Sequence, residues 1–100
     1  MARSSKKESG FQDKLRDELQ KLFPGCFVLK MDQFQGIPDL LVLYKNKWAL
    51  LENKKSAKAI HQPNQDYYVE LFNKLSFSRF IFPENKDEVL NDLKKFFNKK

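Results

Sequence analysis

Two apolar runs separated by three polar residues constrain this chain more than any other feature. Leu40-Leu41-Val42-Leu43-Tyr44 and Trp48-Ala49-Leu50-Leu51 show no alternation of polar and apolar residues. Short runs of this kind are read as strands buried on both faces. The linker Lys45-Asn46-Lys47 is too short for a crossover, so the strands must pair as an antiparallel hairpin. A sheet covered on both faces needs helices on each side.

Three helices are legible. Phe11, Leu15, Leu19 and Leu22 form one apolar stripe, which Pro24-Gly25 ends. Ser5, three residues before Glu8, has capping-box spacing. Pro63 suits the first turn of a second helix, with Tyr68, Leu71, Phe72 and Leu75 as its stripe. Asn85 and Glu88 again have capping-box spacing, ahead of Val89, Leu90, Leu93, Phe96 and Phe97. Residues 26–31 and 77–82 read as further strands, and 32–38, with Gly36 and Pro38, as a loop. The order is α-β-β-β-α-β-α. The helix between the third and fourth strands makes those two parallel. The expected fold is α/β, a single domain with a mixed four-stranded sheet flanked by helices. Residues 1–7, with Arg3, Lys6 and Lys7, read as a basic flexible arm and 8–100 as the domain.

Nineteen Lys and Arg against 13 Asp and Glu give a net charge of +6. Such a domain calls for an anionic partner, nucleic acid first. With one Cys and one His, the chain has neither an internal disulfide nor a zinc constellation. Cys26 reads as a buried core thiol, which fits a reducing, cytoplasmic compartment. No apolar run reaches the roughly 18 residues of a membrane span, and the polar, basic start does not resemble a secretory signal.

Most acidic residues fall on polar helix faces. Asp39 and Glu52 instead abut the apolar strands, and Lys54 follows two residues on. Buried charges of this kind need a partner or a metal. If Lys45-Asn46 is a two-residue turn, numbers paired across the hairpin total 91 and Asp39 faces Glu52. Their Cβ atoms then lie roughly 5 Å apart on one sheet face, which Lys54 shares. A divalent cation relieves the repulsion, and hard oxygen ligands favour Mg²⁺ or Mn²⁺. A three-residue turn shifts the total to 92 and puts the two acids on opposite faces.

Ile37-Pro38-Asp39 followed by Glu52-Asn53-Lys54 resembles the PD-(D/E)XK nuclease motif, and within it the virus-type replication-repair (VRR-NUC) group. The likeness runs from about Glu8 to Phe97. It takes in an early helical Glu, the Gly-Ile-Pro-Asp loop, Glu-x-Lys and Gln65 at the start of a helix. It implies a restriction-endonuclease-like core and metal-dependent hydrolysis of DNA phosphodiesters, often in branched DNA such as a four-way junction.

The resemblance also implies roles. Asp39 and Glu52 are metal ligands, joined by the backbone carbonyl of Asn53 and by Glu8 from the first helix, around Mg²⁺ with Mn²⁺ able to substitute. Lys54 orients or deprotonates the attacking water, or stabilises the charged transition state. Gln65 positions Lys54 or the scissile phosphate. Glu8 and Gln65 also have plain readings, as a capping-box residue and an ordinary helix residue. Lys55, Ser56, Lys58 and His61 in the loop, with Lys6 and Lys7 in the arm, are expected DNA contacts.

The run Lys54-Lys55-Ser56-Ala57-Lys58 has a second reading. It resembles the lysine-rich helix start of double-stranded-RNA-binding domains, which hold phosphates without chemistry. Pro63 and the extra strand and helix after Leu75 do not fit that reading. A homodimer is expected from the small phage-type relatives and from the two symmetric cuts a four-way junction needs. Phe72, Phe77, Phe80, Phe82, Phe96 and Phe97 are the expected source of a leftover apolar patch. A viral or phage origin is part of the same expectation.

Overall fold

The hairpin turn has two residues. Strand β2 (Leu40–Tyr44) pairs antiparallel with β3 (Lys47–Asn53), with Tyr44 opposite Lys47 and Leu40 opposite Leu51. Lys45 takes the left-handed conformation, φ 57°, that lets so short a connection match the strand twist. Lys47, read from sequence as part of the turn, is the first residue of β3. These relations come from a computed structural model, which describes residues 6–31 and 36–99.

The remaining elements are α1 (Lys6–Leu22), β1 (Phe27–Lys30), α2 (Pro63–Leu75), β4 (Ser78–Ile81) and α3 (Lys86–Asn98). The sheet order is β1-β2-β3-β4, antiparallel except for the parallel pair β3–β4 that α2 connects. Both the expected α-β-β-β-α-β-α order and the mixed sheet are present. Helix α1 begins within the expected arm, at Lys6. The side chains of residues 6–9 lie outside the described residues, as do residues 1–5 and with them the Ser5 capping box.

The principal core lies on one face of the sheet. Leu15, Leu19 and Phe23 meet Leu90, Leu93 and Phe97 over Val28, Leu40, Val42, Ala49 and Leu51. Cys26 belongs to this cluster, and its thiol donates to the Leu19 carbonyl at 3.7 Å. Burial pushes that thiol above its usual range. Asn85 forms no capping bond with α3; its amide instead bridges the turn, accepting from Phe82 N–H and donating to the Phe80 carbonyl. A short polar side chain there stabilises the local turn at the expense of the cap.

The opposite face departs from expectation. Helix α2 packs on β3 and β4. The β1–β2 half carries Phe27, Leu29, Leu41 and Leu43, and among these Phe27 is 60% exposed. The central strands are therefore buried on both faces only where α2 lies. Met31, Ile37, Leu41, Trp48, Leu50 and Phe72 line part of an apolar groove of about 740 Å³ there. Of the six phenylalanines expected to leave an apolar patch, Phe77 and Phe97 are buried, the other four are half-buried, and Phe72 lines this groove. One amphipathic helix is too narrow to cover four strands.

Candidate active site

Asp39 lies one residue before β2, at the end of the hairpin away from its turn. Met31 N–H donates to its carbonyl at 2.6 Å, and Asn53 N–H donates to its carboxyl Oδ2 at 2.9 Å. The pairing of Leu40 with Leu51, carried one step further, sets Asp39 opposite Glu52. The Glu52 side chain is near enough to the Asp39 carboxyl to act on it. Burial pushes the Asp39 carboxyl above its usual range. The Asn53 hydrogen bond, the neighbouring Glu52 side chain and the charges of Lys54 and Lys30 oppose that rise without cancelling it.

The Gly36-Ile37-Pro38 approach is fixed by packing. Gly36 has φ +89°, and a Cβ there would come within 2.8 Å of Asn64 Cβ on α2. Pro38 is fully buried. This is the physical reason for glycine in the motif: it lets the loop lie against α2 so that Asp39 enters the sheet at a set height.

Glu52 is 2% exposed and Lys54 7%. Alternation along β3 puts them on the α2 face. Gln65 joins them. Its Nε2 donates to Glu52 Oε2 at 3.0 Å, while its Oε1 accepts from Lys54 Nζ at 2.5 Å and from Gln62 N–H at 2.9 Å. Only that orientation of the amide satisfies both the carboxylate and the ammonium. Pro63 at the first position of α2 brings Gln65 within reach. Lys54 Nζ also donates to the Ile60 carbonyl at 3.1 Å. A buried ammonium is thus held by two oxygens, and a buried carboxylate is tied to it through one amide.

The loop between β3 and α2 carries the expected cations. Lys55 and Lys58 are exposed, and Ser56 Oγ accepts from Lys58 N–H at 3.3 Å. His61 stacks on Phe80 with ring centroids 4.1 Å apart, and its Nδ1 lies 2.8 Å from Asp66 Oδ1. Asp66, Phe80 and Lys30 have no site role in the reading of the sequence, where Phe80 counts only toward the expected apolar patch. The register supplies two of them: Phe80 is opposite Glu52, and Lys30 is opposite Leu40, the neighbour of Asp39. Asp66 carried no signal beyond helix spacing.

Asp39, Glu52, Lys54 and Gln65 are therefore brought together. Glu8 is in the first turns of α1, but its side chain, like those of Lys6 and Lys7, lies outside the described residues. Among the described residues no group of three or more His, Cys, Asp or Glu gathers as a metal cluster. The Asp39–Glu52 pair offers hard carboxylate oxygens, a donor type suited to Mg²⁺ or Mn²⁺.

Comparison with known proteins gives one informative likeness. A solved structure described as a "VRR_NUC domain" superposes with a TM-score of 0.68 and 26% sequence identity, over 87% of this chain and 97% of that one. No family model and no curated protein matches the sequence.

Proposed function

We propose, on the premise that this chain belongs to the VRR-NUC group of PD-(D/E)XK nuclease folds, that it is a metal-dependent DNA endonuclease acting on branched DNA. One observation carries the reading. A buried carboxylate and a buried ammonium two residues apart are linked by one glutamine, with a second carboxyl in contact. A structural ion pair does not call for the second acid.

Asp39 and Glu52 would hold Mg²⁺, or Mn²⁺ in its place. In an extended strand the N–H and C=O of one residue project to the same side. Asn53 N–H meets Asp39, which supports the Asn53 carbonyl as a third oxygen. Glu8 is a further candidate ligand from α1. Phe23, just past the end of α1, packs on Tyr44 at the hairpin turn. When bound, the cation lowers the pKa of its water and neutralises charge on the phosphate oxygens.

The chain's own residues do the rest. Lys54 presents an ammonium to the attacking water or to the charge that builds on the phosphorus oxygens. Gln65 keeps that ammonium from collapsing onto Glu52, leaving the carboxylate available as a ligand. Lys55, Ser56, Lys58 and His61 line the loop as phosphate contacts, with Lys6 and Lys7 as further candidates.

The proposal includes a homodimer. The open apolar half-sheet around Phe27, Leu29 and Leu43 supports a second copy there, and two sites would match the paired incisions of a four-way junction. The test is cleavage of labelled linear, nicked, flap and four-way DNA with Mg²⁺, Mn²⁺ or EDTA. Cleavage with either metal and none in EDTA is expected. Cleavage that persists in EDTA would defeat the metal mechanism. Binding without cleavage in every condition would favour a non-catalytic module.

A further inference from the structure

We infer that Ile60 is an apolar wedge, held rigidly beside the catalytic lysine, that inserts against bases next to the scissile phosphate and selects DNA whose stacking is already broken. The inference rests on the nuclease reading above and assigns its selectivity to one side chain.

Ile60 is 84% exposed, more than any other large apolar residue among the described residues. A single exposed isoleucine is ordinary on a protein surface. What distinguishes this one is how its backbone is held. Its carbonyl accepts the Lys54 ammonium at 3.1 Å. The next residue, His61, is clamped between the Phe80 ring and the Asp66 carboxylate. The one after, Gln62, donates its N–H to Gln65 at 2.9 Å. On the other side, Ala59 N–H donates to the Ser56 carbonyl at 3.2 Å. The chain is thus pinned on both sides of Ile60, and the isoleucine side chain projects from a fixed point.

The surroundings identify the occupant. Lys55 and Lys58, both exposed, share the loop with Ile60 and suit a polyanion. The Ile60 backbone touches the very ammonium proposed to act on the phosphate, so a phosphodiester there has its flanking bases within reach of the loop. An apolar side chain beside phosphate-binding cations meets the flat apolar face of a base. Inserting a side chain between stacked bases costs the stacking energy of that step. The cost falls where stacking is already interrupted, as at a branch point or flap. A wedge beside the cleavage centre therefore slows reaction on continuous duplex and spares branched DNA.

The experiment uses the full chain with 2-aminopurine placed one step inside the duplex from the branch of a flap or four-way substrate, where the base is still stacked. Ca²⁺ replaces Mg²⁺ for binding measurements, and kcat/KM on branched and on linear duplex is then compared in Mg²⁺. Binding of the parent protein should raise 2-aminopurine fluorescence as the base unstacks. Ile60→Ala should abolish that rise and lower the branched-to-linear ratio of kcat/KM roughly tenfold, the scale of withdrawing one apolar side chain from a buried contact. Ile60→Met, which restores an apolar tip, should recover both. An Ile60→Ala protein with the parent's fluorescence change and ratio would overturn the wedge. So would a parent that binds without any fluorescence rise. A parent that cuts no DNA would defeat the nuclease reading instead, and the fluorescence assay would still decide whether Ile60 inserts.

Discussion

At the residue scale the site sets two acids against each other, and the consequences are opposite for stability and for chemistry. The Asp39 carboxyl is held above its ordinary value of 3.8, chiefly by burial. Well below that value the side chain is protonated in both folded and unfolded chains. Above it, the unfolded chain releases the proton first, so folding stability falls as pH rises through the window and stays reduced beyond it. Asp39→Asn removes this penalty. The metal-free variant should melt at a higher temperature than the parent at pH 7, with the difference vanishing as pH falls below the ordinary carboxyl value. The same variant should not cleave DNA, and thermal melts beside a cleavage assay check both halves. Lys54→Met separates chemistry from metal binding. Its cleavage should fall by about 10² or more, while Mn²⁺ affinity, read by calorimetry, stays within a few-fold.

Elements place these residues, and their packing can be tested apart from the chemistry. The loop before Asp39 lies so close to α2 that Gly36→Ala must move Asn64 or distort a φ of +89°. A loss of about 1–3 kcal/mol is expected, measured by urea denaturation, with cleavage reduced because Asp39 shifts with the loop. Leu93 of α3 is fully buried against α1 and the sheet. Leu93→Ala should cost about 2–5 kcal/mol through the cavity it leaves. Cleavage at a temperature where the variant remains folded should be nearly unaffected, because Glu52 and Lys54 lie on the opposite face of the sheet from Leu93. The contrast locates the site on the α2 face and the main core on the other.

For the whole molecule, charge and an uncovered face set the outcome. DNA affinity should fall with log salt, and each of Lys55→Ala and Lys58→Ala should flatten the slope by about 0.9 if each neutralises one phosphate of B-DNA. Leu43 is exposed on the open apolar half-sheet, opposite Phe27. Leu43→Glu puts a charge there without disturbing the principal core. Light scattering should give twice the chain mass for the parent and one chain mass for the variant, and paired cuts in a four-way substrate should become single, uncoordinated ones.

The sequence alone determined the element order and the identity of the acidic pair. Unalternated apolar runs, helical stripes and Pro or Gly boundaries are local signals, each tied to backbone geometry within a few residues. Asp39, Glu52 and Lys54 stood out because charges beside apolar strands conflict with burial unless a partner resolves the conflict. Whether the two acids met depended on one residue of turn length, and the left-handed Lys45 decided it. The clamp of His61 joins Asp66, five residues on, with Phe80 from β4, and no local spacing announces the strand's part in it. The open half of the sheet was illegible for the same reason. An apolar run records that a strand can be buried, but only the width and position of α2 decide which part of it is covered.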